Sequence, residues 1–187
     1  MKLTIALILL LSSKVSFSQI YKLNTTKSKT TWHLFVADDE HVYGEIAITS
    51  GSLSLGKQTS GSIEFGLSGT KSYELEDGEK ESNEMRDKRI RAITGAKKAD
   101  PIFKLESVEK KADGMASIKG KLTLNEVTKD IEIKGRLKND LQSMSFEGEY
   151  KLMWGDFEVT NPVMWFMQLT NKADPFITLK FKLEGSV

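Results

Sequence analysis

Met144-Ser145-Phe146-Glu147-Gly148-Glu149-Tyr150-Lys151-Leu152-Met153-Trp154 decides the fold. Met144, Phe146, Gly148, Tyr150, Leu152 and Trp154 alternate with Ser145, Glu147, Glu149, Lys151 and Met153. Successive side chains of a strand point to opposite faces, so this stretch reads as a strand with one dry and one wet face. The same period recurs in both directions along the chain. Ile63, Phe65 and Leu67 carry it, as do Ile118, Gly120, Leu122 and Leu124. So do Ile131, Ile133, Gly135 and Leu137, and later Ile177, Leu179, Phe181 and Leu183. Shorter runs fit at Trp32 to Val36, Val42 to Ile48 and Ile102 to Val108. Clean alternation is the mark of antiparallel sheet. About eight such strands must close or stack to cover their dry faces and hide their edges. The breaks between them are polar or contain glycine: Ser50-Gly51-Ser52, Asp113-Gly114 and Asn139-Asp140.

A closed barrel and a two-sheet sandwich share this pattern. The length of the strands favours the barrel, as do Gly120, Gly135 and Gly148 on the dry face. An inward glycine lets a strand bend, leaves room inside, or only relieves crowding in a filled core. A barrel of about eight strands holds at most one small or elongated ligand. One segment departs from the period. Residues 82–93 contain good helix formers and neither Gly nor Pro, with Ser82 or Asn83 as cap and Gly95 as terminator. They predict a short helix over one end of the barrel. The acidic residues 74–84 before it predict a surface loop.

Composition narrows the function. Lys and Arg number 27 against 26 Asp and Glu, so no basic excess points to nucleic acid. With 39% hydrophobic and 28% charged residues, the chain reads as globular rather than disordered or membrane-embedded. Cysteine is absent, which removes disulfides, thiolate ligands and Cys nucleophiles. Met1-Lys2, the apolar run Leu3 to Leu11, and Ser16 and Ser18 read as a secretory signal cleaved after about Ser18. The run is too short for a transmembrane span, which takes about 20 residues. The expectation is a periplasmic or secreted protein whose single domain occupies residues 19–187.

Little in the sequence points to catalysis. His33 and His41 flank Asp38, Asp39 and Glu40 and could oppose one another across a hairpin as metal ligands, but the stretch reads first as a polar hairpin turn. No Gly-x-Ser-x-Gly elbow and no glycine-rich phosphate loop is present. Glu74/Glu76, Glu79/Glu81 and Glu147/Glu149 are paired acids, the last on a wet face. Arg86, Lys88, Arg89 and Arg91 suit either an anionic head group or a solvated helix face paired with Glu84 and Asp87. Asn161 to Leu169, with Trp165-Phe166 at its centre, reads as a lid, a ligand-entry lip, a membrane-touching loop or a core strand.

Several segments, taken in order, resemble the YceI-like family. Arg86-Asp87-Lys88-Arg89-Ile90-Arg91 resembles its Arg-Asp-x-His-Leu-Arg/Lys motif, with Arg89 at the His position. Pro101 to Ser107 resembles its Pro-x-(x)-Phe-x-Ser segment. Leu122-Thr123-Leu124-Asn125-Glu126-Val127-Thr128-Lys129 resembles its Leu-Thr-(Ile/Leu)-x-Gly-Val-Thr-Lys hairpin, with Glu126 at the Gly. Asp156-Phe157-Glu158 resembles a late Asp-Phe-Gly, with Glu158 at the Gly. Tyr21 to Asn24, Trp32 and His41 to Gly44 fall where the family has its opening strand and a His-containing turn. The resemblance implies an extended, lipocalin-like antiparallel barrel, exported in bacteria, with a polyisoprenoid or similar amphiphile inside.

Two readings follow. In the first, the protein is a non-enzymatic carrier of an isoprenoid-type lipid and uses no cofactor or metal. Its pocket residues are then Phe65, Leu67, Phe103, Leu105, Ile118, Leu122, Ile133, Phe146, Tyr150, Leu179 and Phe181, with Arg86, Arg89 and Arg91 at the head group. In the second, it is a solid-core β module that binds a protein partner through the Trp165-Phe166 loop. A homodimer is compatible with both.

Overall fold

The computed structural model describes residues 18–37, 40–73, 100–158 and 176–187. The expected signal segment, the helix over 82–93 with Arg86, Arg89 and Arg91, and the stretch 161–169 lie outside the described residues. Nine strands run in chain order: β1 (Gln19–Leu23), β2 (Lys29–Ala37), β3 (Glu40–Leu55), β4 (Ser60–Tyr73), β5 (Ile102–Lys110), β6 (Met115–Leu124), β7 (Val127–Asn139), β8 (Ser143–Met153) and β9 (Phe176–Ser186). Each of the alternating runs forms a strand. The only helical turn among the described residues is a 3-10 turn, Trp154–Phe157, so Trp154 ends the alternation rather than extending it.

Every strand from β2 onward pairs antiparallel with the next, and β9 returns to pair with β2. The ring therefore has eight positions and no free edge, which decides for the barrel over the sandwich. β1 adds no ninth position. Gln19 to Lys22 pair with Ser52 to Leu55 of β3, while Lys22 and Leu23 pair with Gly185 and Ser186 of β9. β2 pairs with the same two neighbours further along. Thus β1 and β2 are one stave, interrupted at residues 24–28. The Asn24 carbonyl accepts from the Ser28 amide (2.8 Å) and its Oδ1 from the Thr26 and Lys27 amides (3.1 and 3.0 Å). Ser28 then stitches the corner to β9, where its Oγ accepts from the Glu184 amide at 2.9 Å.

One correction concerns Ser50-Gly51-Ser52, expected as a break. It lies inside the long β3, where Gly51 pairs with Ile63 and the register shifts between Ile48 and Ser50. A bulge bends this strand without ending it. Asp113-Gly114 and Asn139-Asp140 do mark turns. Gly114 takes a φ of 80°, and Asp140 Oδ1 accepts from the Gln142 and Ser143 amides, each at 2.8 Å. These two bonds hold the Asp140 carboxyl below its usual pKa.

The dry faces form a single cluster of buried apolar residues. Tyr21 seals one end: it is fully buried, and its hydroxyl donates to the Asp140 carbonyl at 2.5 Å. Outside, charge alternates across strands. Lys134, Glu149 and Lys180 form one cross-strand row, and Arg136, Glu147 and Lys182 another.

Gly120, Gly135 and Gly148 do sit on the inward face, but they leave no room for a guest. A Cβ on Gly120 would lie 2.1 Å from the Lys104 carbonyl oxygen and 2.7 Å from Cζ of Phe103. One on Gly148 would lie 2.5 Å from Cζ of Phe146, and one on Gly135 would lie 2.5 Å from the Gly148 Cα. The glycines permit close strand approach, and aromatic rings cover two of them. Gly120→Ala and Gly148→Leu are therefore expected to destabilise the barrel by about 1–3 kcal/mol or more. Urea unfolding beside the parent checks this, and a stability gain in Gly148→Leu would contradict such close packing. The Asp140 carboxylate sets a pH dependence. Because its pKa is lowered in the folded state, its contribution is present above the ordinary carboxylate pKa and is lost as pH falls through the depressed value. Asp140→Ala should lower the melting temperature at neutral pH, and the gap to the parent should narrow in strong acid.

Candidate functional site

Within the barrel lies an apolar cavity of about 70 Å³. Among the described residues twenty line it, drawn from all eight ring positions and from Pro101, and none of these is charged. Alternation places them: each of β2 to β9 contributes inward residues, and the hairpin register puts them at matching heights. Trp32, Leu179 and Tyr150 stand side by side on β2, β9 and β8, and Thr30 stands level with Ile46 and Phe181. Phe65 and Phe181 meet edge to face, with centroids 6.3 Å apart.

Of the eleven expected pocket residues, nine line this cavity: Phe65, Leu67, Phe103, Ile118, Leu122, Ile133, Phe146, Leu179 and Phe181. Leu105 is buried in the wall beside it, and Tyr150 is half-buried and packs against the core. Burial and the nearby Asp156 charge raise the Tyr150 pKa, so its phenol stays neutral. Sequence reasoning did not single out Ile63, Ile131, Leu152, Ile177 or Leu183, although their alternation marks them as inward. Thr30 carried no signal at all, because a threonine within an alternating run reads as a wet-face residue.

One end of the cavity is bounded by a bolted turn. β6 and β7 are joined by Asn125 and Glu126, with φ of 52° and 63°, the sign that a type I′ hairpin needs at both central positions. Asn125 is buried, and its Nδ2 donates to the carbonyls of Phe157 and Glu158, each at 3.2 Å. This ties the hairpin tip to the 3-10 turn and buries Phe157 completely. Glu158 also has a positive φ, 52°.

In the β2–β3 register His33 pairs with Tyr43 and His41 with Phe35, so the two histidines are not cross-strand partners, and Asp38 and Asp39 lie outside the described residues. Among the described residues no group of three or more His, Asp or Glu side chains is placed to hold a metal. Glu147 and Glu149 are exposed on the outer face, and Glu74, Glu76, Glu79 and Glu81 lie outside the described residues. Among the described residues no helix is long and apolar enough to cross a membrane.

A family model, the YceI-like domain, matches residues 21–185. Two solved structures share the fold. Burkholderia cenocepacia BcnA is 16% identical, with a TM-score of 0.64 over 87% of this chain and 98% of its own. A polyisoprenoid binding domain from Saccharophagus degradans, implicated in plant cell wall breakdown, is 11% identical, with a TM-score of 0.63 over 89% and 98%. No curated protein matches in sequence.

The motif positions at which this chain has Glu instead of Gly now have a physical meaning. Glu126 and Glu158 both occupy left-handed backbone, which costs a non-glycine residue about 1–2 kcal/mol. Glu126→Gly is expected to raise stability by about 1 kcal/mol. Chemical denaturation of the variant checks it, and a loss of stability would mean that the Glu126 side chain outweighs the backbone strain.

Proposed function

This chain belongs to the YceI-like family, and from that premise we propose that it binds a lipid of isoprenoid type inside the barrel, as a non-enzymatic carrier or sequestering protein. The observation that carries this reading is the cavity wall, with residues from all eight ring positions and, among the described residues, no charged side chain. Such a wall favours hydrocarbon and penalises ions. The polyisoprenoid binding of the Saccharophagus domain, which shares this fold, adds support. Residues 1–18, with their basic start, apolar centre and small residues at Ser16 and Ser18, support export with cleavage after about Ser18. N-terminal sequencing of the exported protein tests that part.

One observation favours the second reading, a solid-core module that binds a protein partner. At about 70 Å³ the cavity is under half the size of the roughly 150 Å³ engineered cavity that admits benzene. A long guest therefore has to part the lining side chains as it enters. Under the carrier reading, dispersion attraction between the guest's hydrocarbon and the wall offsets that rearrangement.

Native mass spectrometry of the protein purified from its own host is expected to show a bound lipid. Added isoprenoid alcohol or quinone should raise the melting temperature, since a ligand at 100 times its Kd stabilises by about 2.7 kcal/mol. A protein that is always lipid-free, with a melting temperature indifferent to such additives, would sink the carrier reading and leave the module.

A further inference from the structure

Among the described lining residues two polar groups are buried with no partner, Thr30 Oγ1 and Trp32 Nε1, and Thr70 Oγ1 of β4 is likewise buried and unmet. Thr30 is 1% exposed, Trp32 3% and Thr70 3%. An unmet buried polar group is costly, so native interiors keep few of them. Here three occur on β2 and β4. Thr30 and Trp32 are inward neighbours on β2 and both line the cavity. They pair with Ile46 and Gly44 of β3. Thr70 comes from the other side of β3: the β3–β4 register jumps from Glu45–Lys71 to Ala47–Gly66, so residues 67–70 bulge opposite Ile46. The Trp32 indole lies across Gly44, where an added Cβ would meet its Nε1 at 2.6 Å and the Lys71 carbonyl oxygen at 2.0 Å. The bare Gly44 is thus what allows the indole N–H and the bulged segment to share one patch of wall.

We propose that Thr30, Trp32 and Thr70 form a seat for a neutral oxygen of the guest, a carbonyl or a hydroxyl, and that this seat fixes the height of the lipid in the barrel. The inference rests on the lipid-binding reading and narrows it. The indole N–H can only donate, so the guest must present an acceptor. The threonine hydroxyls can donate to the same oxygen or accept from its proton. Among the described residues no charged side chain lines the cavity, and beside these a phosphate at this level would be buried without a counter-charge. The guest class is therefore an isoprenoid alcohol, aldehyde, ketone or quinone, with its hydrocarbon along the rest of the wall. A bare hydrocarbon leaves the three groups unmet.

The test compares probes of one chain length, farnesol and farnesal against the hydrocarbon farnesene and against farnesyl phosphate. The full-length mature protein is titrated with each. Farnesol and farnesal should bind about tenfold or more tighter than farnesene, the equivalent of one hydrogen bond to a group otherwise left unmet. Thr30→Val and Thr70→Val keep the shape of the wall, and Trp32→Phe removes the indole N–H together with part of the ring. Each should reduce the ratio of oxygenated-probe to farnesene affinity. Without guest, Thr30→Val and Thr70→Val should melt at or above the parent temperature, because each replaces an unmet hydroxyl with a methyl group. Equal affinity for farnesol and farnesene in the parent, or tightest binding of farnesyl phosphate, would overturn the seat while leaving lipid binding intact. Failure to bind any of the four would remove the lipid reading and the seat with it.

Discussion

The structure depends on one long-range pairing, that of the first stave of the barrel with the last. All other neighbours in the ring are consecutive in the chain. The contact of β2 and β1 with β9 joins residues about 150 positions apart and converts an open, strongly twisted sheet into a closed one. Closure removes two edges and also creates the interior, because only then do inward faces meet across a common axis. The interrupted stave serves this closure. By turning at residues 24–28, the chain lets β1 follow the tilt of the far ends of β3 and β9 while β2 follows the near ends. Ser28 bonds the corner directly to Glu184.

Packing and hollowness compete inside such a ring. Phe103 lies over Gly120 and Phe146 over Gly148, so rings fill the places where side chains are missing. Tyr21 and its hydrogen bonds close one end, and at the other the Asn125 amide ties the β6–β7 turn to Phe157. What remains between is narrow and apolar. A guest in this space exchanges side-chain contacts for ligand contacts, and among the described lining residues the unmet Thr30 and Trp32 groups distinguish an oxygenated guest from a plain hydrocarbon. They cost stability, and a site kept at a cost in stability is characteristic of function rather than of packing.

Much of this was legible in the sequence. Period-two alternation located every strand from β2 to β9 and assigned the inward face of Phe146, Leu122 and Leu179, because the pleat permits no other arrangement. Ordered motifs from Tyr21 to Phe157 pointed to the YceI-like family, whose model matches nearly the whole chain. The roles of the glycines were not legible. Whether an inward glycine leaves a hole or admits a neighbour depends on what stands across the strand, and no local pattern records that. The same holds for Ser50-Gly51-Ser52, which has the composition of a turn but is held in β3 by its partners on both sides.

The sequence by itself therefore determined the strands, their wet and dry faces, the family and the apolar character of the interior. These follow from periodicity, composition and motif order along the chain. Tertiary structure decided that the sheet closes with β1 and β2 as one stave, how little space the core leaves, and that the Trp32 indole lies across Gly44 with Thr30 beside it on the cavity wall. A threonine in an alternating run reads as solvent-facing. Only the register of β2 on β3 and β9 turns Thr30 and Trp32 inward, because an unmet buried group is a property of the neighbouring strands and not of any one.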